Sequence, residues 1–316
     1  MRINILNLVV LMTVVVSCGP RKAEQFKALP FPDVIPPAMM EEAQDRVEYM
    51  AVNTWNRLLS PDRDYPSDSL LVSGVSKADV EQKFANWIQI LDMADDKVAY
   101  RAIDILFDKV YACEKRDTSS NVFETFVGLV DKYMFDPNSP LRDEDYYGRF
   151  ATHLSTCDVI SSPMRDKYSY DAALCSLNKV GTKATDFRFA DKRGKIYNLY
   201  GINAPYTLLF FSNPGCEACM NIINVLKEEA RIAELISSGQ MVVLNIYIDE
   251  DLDAWRSYMP IYPDEWYNGF DPDFAIRSET LYNVRAIPSL YLLDEQKTVL
   301  LKDAPENKLF EYLVRL

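Results

Sequence analysis

Cys216 and Cys219 stand three apart in the stretch FFSNPGCEACM, residues 210–220, where an apolar run ends at a Pro214-Gly215 turn and a helical pattern begins. Thiols at this spacing suit three chemistries: disulfide exchange, half of a tetrahedral metal site, or a structural bridge. A helix starting at Cys216 would aim unpaired backbone N–H groups and the positive end of its dipole at that sulfur, favouring the thiolate. Cys219 would lie on the same helix face one turn deeper, within reach of the first sulfur. The exposed thiol could then attack, and the shielded one could resolve the mixed disulfide. Glu217 sets a negative charge beside Cys216, which disfavours the thiolate and makes the pair a better reductant than oxidant. A metal site would need two more thiolate or imidazole ligands. The chain has one histidine, His153, and its other cysteines stand singly, so neither a metal nor another cofactor is expected. A purely structural disulfide stays open, because spacing does not report reactivity.

The elements that must position this pair come from a change of pattern near residue 179. Short β-rich runs follow: FRFAD, KIYNLY, YTLLFFSN, MVVLNIYID, SLYLLD and TVLLKD. The fully apolar ones read as buried central strands, with helical patterns at 217–238 and near 306–315 between and after them. Strand, helix, strand, two closing strands and a helix make an α/β layered arrangement. In VRAIPSLYLLD, Pro288 opens a central apolar strand, where a trans proline is awkward and a cis Ile287-Pro288 bond would turn the chain tightly. Residues 253–274, DAWRSYMPIYPDEWYNGFDPDF, carry Trp255, Tyr258, Tyr262, Trp266, Tyr267 and Phe270 among three prolines. Trp255 and Tyr258 suit a short helix packed on the sheet. Pro260, Pro263 and Pro272 should leave the remainder as an aromatic loop, whose amphipathic rings suit a peptide-binding rim.

A Cys-x-x-Cys at a strand-to-helix turn with an Ile-Pro opening a later strand resembles the thioredoxin fold. That resemblance implies a cis Pro288 facing the cysteines, with backbone around Ile287 and Pro288 pairing with a substrate peptide. It also implies that the connection carrying Trp266 and Tyr267 borders the groove beside Cys216. VGTKATDFRFADKRGKIYNL is similar to the opening of the TlpA-like and alkyl hydroperoxide reductase/thiol-specific antioxidant branch, with Thr185 where proline is usual. Asn213 holds the place, three before the first cysteine, where peroxiredoxins have threonine, so the chain is not a peroxiredoxin by motif. Phe210 occupies the strand position where thioredoxin keeps a buried aspartate, and Gly215 stands where an aromatic residue commonly precedes the first cysteine.

Residues 38–178 show apolar residues at helical spacing, as in Val80, Phe84, Trp87, Ile88 and Leu91, and predict an all-helical domain of six helices, the last with Ser162 as its N-cap and Pro163 at its first helical position. Pro137 and Pro140 in MFDPNSPLRDED mark a rigid corner between helices. Cys113, Cys157 and Cys175 fall on apolar stripes as inert core thiols, with a Cys157–Cys175 bridge as the alternative; His153 reads as structural.

At the start, MRINILNLVVLMTVVVSCGP has one positive charge and an apolar run too short to span a bilayer comfortably. Its Val15-Val16-Ser17-Cys18 resembles a bacterial lipobox, which implies removal of residues 1–17 and lipid on Cys18. The remainder would carry 33 basic and 47 acidic residues, a net charge of −14, which argues against nucleic acid. Residues 18–37, proline-punctuated, read as a tether to the membrane. The expectation is an α+β two-domain chain: signal peptide 1–17, tether 18–37, helical domain 38–178 and thioredoxin-like domain 179–316. This arrangement resembles a lipoprotein family of gut-type anaerobic bacteria whose helical domain has no known function. The implied activity is thiol:disulfide exchange with exported proteins in the cell envelope, facing the periplasm and drawing on an unidentified electron donor. The competing reading is a binding or scaffold lipoprotein with a structural cysteine pair.

Overall fold

The computed structural model describes residues 26–65 and 68–316. Cys18, the signal sequence and the first part of the tether lie outside the described residues. The helical half contains α1 (Ala43–Asn53), α2 (Lys77–Met93), α3 (Asp96–Arg116), α4 (Val122–Val130), α5 (Glu144–Ser155) and α6 (Ser162–Cys175). Their starts follow side-chain chemistry. Ser76 accepts the Asp79 N–H ahead of α2, Asp95 accepts that of Lys97 ahead of α3, and Asp143 accepts those of Asp145 and Tyr146 ahead of α5. The N-cap of α6 is Ser161, one residue before the expected Ser162. Trp55, Phe84, Trp87 and Phe126 pack edge-on or tilted in its single core, which also buries Cys113, Cys157 and Cys175 as free thiols. The alternative Cys157–Cys175 bridge is absent.

The all-helical expectation for this half needs correction. Strands β1 (Leu71–Val72) and β2 (Val75–Ser76) form a hairpin whose two turn residues, Ser73 and Gly74, both have positive φ. That is the conformation of a tight primed turn, and the Ser-Gly pair between apolar dipeptides is its sequence signal. The expected tether also differs in its second part. Leu29 donates its N–H to the Gly74 carbonyl (2.8 Å), Phe31 packs edge-on against Trp55, and Asp33 pairs with Lys83 (2.5 Å), so residues 27–33 dock on the helical domain.

The second half holds β3 (Arg188–Asp191), β4 (Ile196–Asn198), β5 (Tyr206–Phe211), β6 (Met241–Tyr247), β7 (Tyr267–Phe270), β8 (Ser289–Asp294) and β9 (Val299–Leu301), with α7 (Glu217–Glu228), α8 (Ala230–Ser237), α9 (Leu252–Tyr258), α10 (Ala275–Ser278) and α11 (Glu306–Arg315). The strands form one sheet in the order β4-β3-β7-β6-β5-β8-β9. Strands β5, β6 and β7 run parallel, and the other neighbours pair antiparallel. Alternation along β5 sends Leu208 and Phe210 to the face covered by α7, α8, α9 and α11, and Leu209 and Phe211 to the opposite face.

Two differences from the sequence reading concern this domain. The helical pattern at 217–238 is broken at Glu229, whose backbone is extended and whose carboxylate accepts the Ile232 N–H (2.8 Å) as the cap of α8. Strand β7 lies in what reads as an aromatic loop. Its Gly269 is required there, because an added Cβ would sit 2.7 Å from Phe189 Cδ2 and 3.0 Å from the Ala190 carbonyl oxygen.

Candidate active site

Strand β5 ends at Phe211, and Ser212 to Gly215 turn the chain into α7, with Gly215 at φ +72°. Cys216 is the N-cap of α7, and its Sγ accepts the Cys219 N–H at 3.1 Å. Cys216 is half-buried, whereas Cys219 is 2% exposed and packs with Ile222, Ile223 and Phe210. The two are disulfide-bonded, with Cα atoms 5.2 Å apart. Glu217 is exposed in the first turn.

The register of β8 against β5 pairs Ser289 with Phe211, so Pro288 falls at the sheet end where β5 leads into the cysteine turn. The Ile287-Pro288 bond is cis, and Ile287 packs in the cluster that contains Cys216, Cys219 and Met220. Cys216, Cys219, Ile287 and Pro288 are thus brought to one end of the sheet.

Trp266, just before β7, and Tyr267, its first residue, lie on opposite sides of the sheet. Trp266 is 5% exposed and packs on the α7 side of the sheet. Tyr267 turns to the other face, edge-on to Phe189 and Tyr197, so its expected place beside Cys216 is corrected. The ring of this connection that approaches the cysteine turn is Tyr262, whose hydroxyl lies 3.4 Å from Ser212 Oγ and whose ring meets Tyr258.

Phe210 is fully buried beneath the pair, in the place where thioredoxin keeps its aspartate. Beside it lies a neutral polar chain that sequence reasoning missed. Ser212 Oγ donates to Asn245 Oδ1, Asn245 Nδ2 donates to Asn268 Oδ1 (3.0 Å), and Asn268 Nδ2 donates to the Pro263 carbonyl (2.8 Å). Burial pushes the Tyr262 phenol up, so this chain stays uncharged near neutral pH. Its signal was Asn245, one amide inside the otherwise apolar MVVLNIYID. Asn213 fastens the turn from its other side by donating to Asp249 Oδ2 (2.6 Å), and Asp249 in turn pairs with Arg277 (2.7 Å).

His153 is remote from the pair; its Nε2 lies 2.7 Å from Asp104 and its ring stacks on Phe107. Among the described residues, no group of three or more His, Cys, Asp or Glu is placed to hold a metal ion. Among the same residues, no helix is long and apolar enough to cross a membrane.

A sheet with a Cys-x-x-Cys pair at the N-terminus of α7 and a cis-proline strand beside it makes the second half a thioredoxin-like domain, and residues 203–299 match the family described as Thioredoxin-like. Residues 13–178 match the family described as Domain of unknown function (DUF5106). The chain belongs to that DUF5106 family, with a thioredoxin-like domain following. A thioredoxin-like protein from Bacteroides caccae is 34% identical, with a TM-score of 0.76, over 93% of this chain and 99% of that one. The C-terminal domain of a Bacteroides fragilis protein is 46% identical over 43% of this chain and 97% of that one, TM-score 0.42. A domain of a possible thiol-disulfide isomerase from Cytophaga hutchinsonii is 22% identical over 44% and 94%, TM-score 0.38. No curated protein matches the chain.

Proposed function

We propose that this protein is a lipid-anchored thiol:disulfide oxidoreductase that reduces disulfides of exported proteins in the cell envelope. The observation that carries the reading is the position of Cys216: a half-buried sulfur at a helix N-terminus, bonded to a shielded Cys219, at the sheet end that holds Ile287 and Pro288. In the reduced protein, the Cys216 thiolate attacks a substrate sulfur, forming a mixed disulfide and releasing the other substrate sulfur as a thiolate that takes up a proton. Cys219 loses its proton and attacks Cys216, which restores the internal disulfide and frees the second substrate thiol. Two electrons pass to the substrate, and a dithiol donor of the envelope returns them. Pro288 and the backbone at Ile287 orient the substrate strand, and Glu217 biases the pair toward reduction. Lipid on Cys18 would hold the domain at the membrane, facing the periplasm; the lipobox-like Val15-Val16-Ser17-Cys18 supports this.

Cys219→Ser should accumulate mixed disulfides with envelope proteins, and Cys216→Ser should accumulate none. The Cys216/Cys219 potential should lie within about −120 to −270 mV, the range of exchange proteins. Equal trapping by both variants would reject the assigned roles. No trapping, together with a potential below about −300 mV, would leave a structural bridge in a scaffold protein.

A further inference from the structure

The connection that delivers Pro288 to the cysteines is held from outside its own domain. Glu144, the first residue of α5 in the helical half, is 2% exposed. Its Oε1 accepts Asn283 Nδ2 and Arg285 Nε, each at 2.8 Å. Arg285 also donates Nη1 to the Phe135 carbonyl and lies with its guanidinium 4.3 Å from the centroid of the Phe135 ring. That ring is itself stacked on Tyr147, with centroids 3.9 Å apart. On the other side Arg285 Nη2 donates to Asp303 Oδ2 (3.1 Å), and Asp303 Oδ1 accepts Ser289 Oγ (2.7 Å), the residue that follows Pro288. Arg142, from the Pro137–Pro140 corner, donates to the Asp303 and Ala304 carbonyls at 3.0 and 2.9 Å. Lys302 Nζ lies 3.1 Å from Glu144 Oε2 and donates to the Cys175 carbonyl (2.6 Å).

The loop 283–289 is therefore gripped at Asn283, Arg285 and Ser289, and two of those grips end on a residue of the helical domain. Apolar side chains would hold two domains together as well or better, because desolvation of buried ion pairs offsets most of their attraction. What directional, charge-assisted bonds add is a defined geometry for the backbone they hold.

We infer that Glu144 is a positioning residue that sets the loop carrying Ile287 and Pro288, making the helical domain a working part of the substrate-binding side of the thioredoxin-like domain. The inference rests on the oxidoreductase reading for its consequence in catalysis, but the clamp itself can be tested without it.

The test uses the full chain with Glu144→Leu and Arg285→Met together, which removes the cross-domain pair while leaving Lys302 with Asp145 and Arg142 with Asp303, a balanced set of charges. Amide hydrogen exchange at the non-proline residues 284–289 should quicken at least tenfold, while residues 290–293 of β8 stay within twofold. The pre-reduced double variant should lose at least tenfold in kcat/KM on a folded protein disulfide, mostly through KM. Its rate on a small aromatic disulfide should stay within twofold, with the Cys216/Cys219 potential unchanged. Wild-type exchange at 284–289 in the folded variant, or equal losses on both substrates, would overturn the inference. If the double variant does not fold, Asn283→Ala decides on the same readouts, with a smaller increase in exchange expected and no increase overturning the clamp. If the wild type reduces neither disulfide, the oxidoreductase reading falls, and the exchange comparison still decides the clamp.

Discussion

Alkylation of the fully reduced, folded protein should separate its thiols by orders of magnitude. Cys175 is 1% exposed, and burial, with the nearby Glu144 charge adding to it, pushes its thiol up to about 12. At pH 8 a thiol with that value is ionised to about one part in ten thousand, whereas one at the ordinary value near 8.5 is about one-quarter ionised. The thiolate is the nucleophile, and because the more basic thiolate is also intrinsically more reactive, the difference in ionised fraction leaves Cys175 roughly fifty- to a hundredfold slower before access is counted. Burial also raises Cys113 and Cys157, and Cys219 is shielded behind Cys216. Among Cys113, Cys157, Cys175, Cys216 and Cys219, timed pulses of iodoacetamide at pH 8 should therefore mark Cys216 first, as read by peptide mass spectrometry. The pH dependence carries a sign. Cys175 stays protonated across the physiological range, so its slow reaction should rise about tenfold per pH unit up to about 12, while a thiol near 8.5 levels off above about pH 9.5. Modification of Cys175 within tenfold of the Cys216 rate in folded protein would refute the argument from burial, and faster modification of Cys219 than of Cys216 would invert their assigned roles.

Glu217→Gln should move the couple toward more oxidising potentials, by an amount on the order of 10 mV because the charge is exposed and screened, with the separation from wild type appearing only where Cys216 is ionised. A glutathione titration repeated across pH that shows no separation, or the reverse sign, rejects the electrostatic role. Gly269→Ala should destabilise the chain by about 1–3 kcal/mol, since the new methyl must displace either the Phe189 ring or the β3 backbone. Denaturant unfolding reads this directly, and an unchanged midpoint would show that β3 can give way freely.

Much of the candidate site could be seen in the residue order. Cys216 and Cys219 beside a Pro-Gly turn, and Ile287-Pro288 at the mouth of an apolar strand, are local signals, because turn chemistry and helix starts depend on neighbours a few residues away. The same local logic located most helices and all six expected strand runs, which are β3, β4, β5, β6, β8 and β9. It failed where pairing decides. The four residues of β7 include an asparagine and a glycine and have no strand pattern of their own; they are extended because β6 and β3 supply hydrogen-bond partners on both sides. The hairpin at residues 71–76 is similarly short, and only its Ser-Gly turn announces it.

The sequence by itself determined the division into a helical half and an α/β half, the identity of the redox-type pair and the proline placed to meet it, since each of these is written in contiguous residues. Tertiary structure alone decided which distant groups stand beside that site. It put Trp266 and Tyr267 on opposite faces of the sheet, joined Ser212 at the end of β5 to Asn245 of β6, and set Glu144 against Arg285, 141 positions later in the chain. Such meetings follow from register and domain docking, where the energy comes from burying whole surfaces and a single side chain's partner is fixed only after those surfaces close.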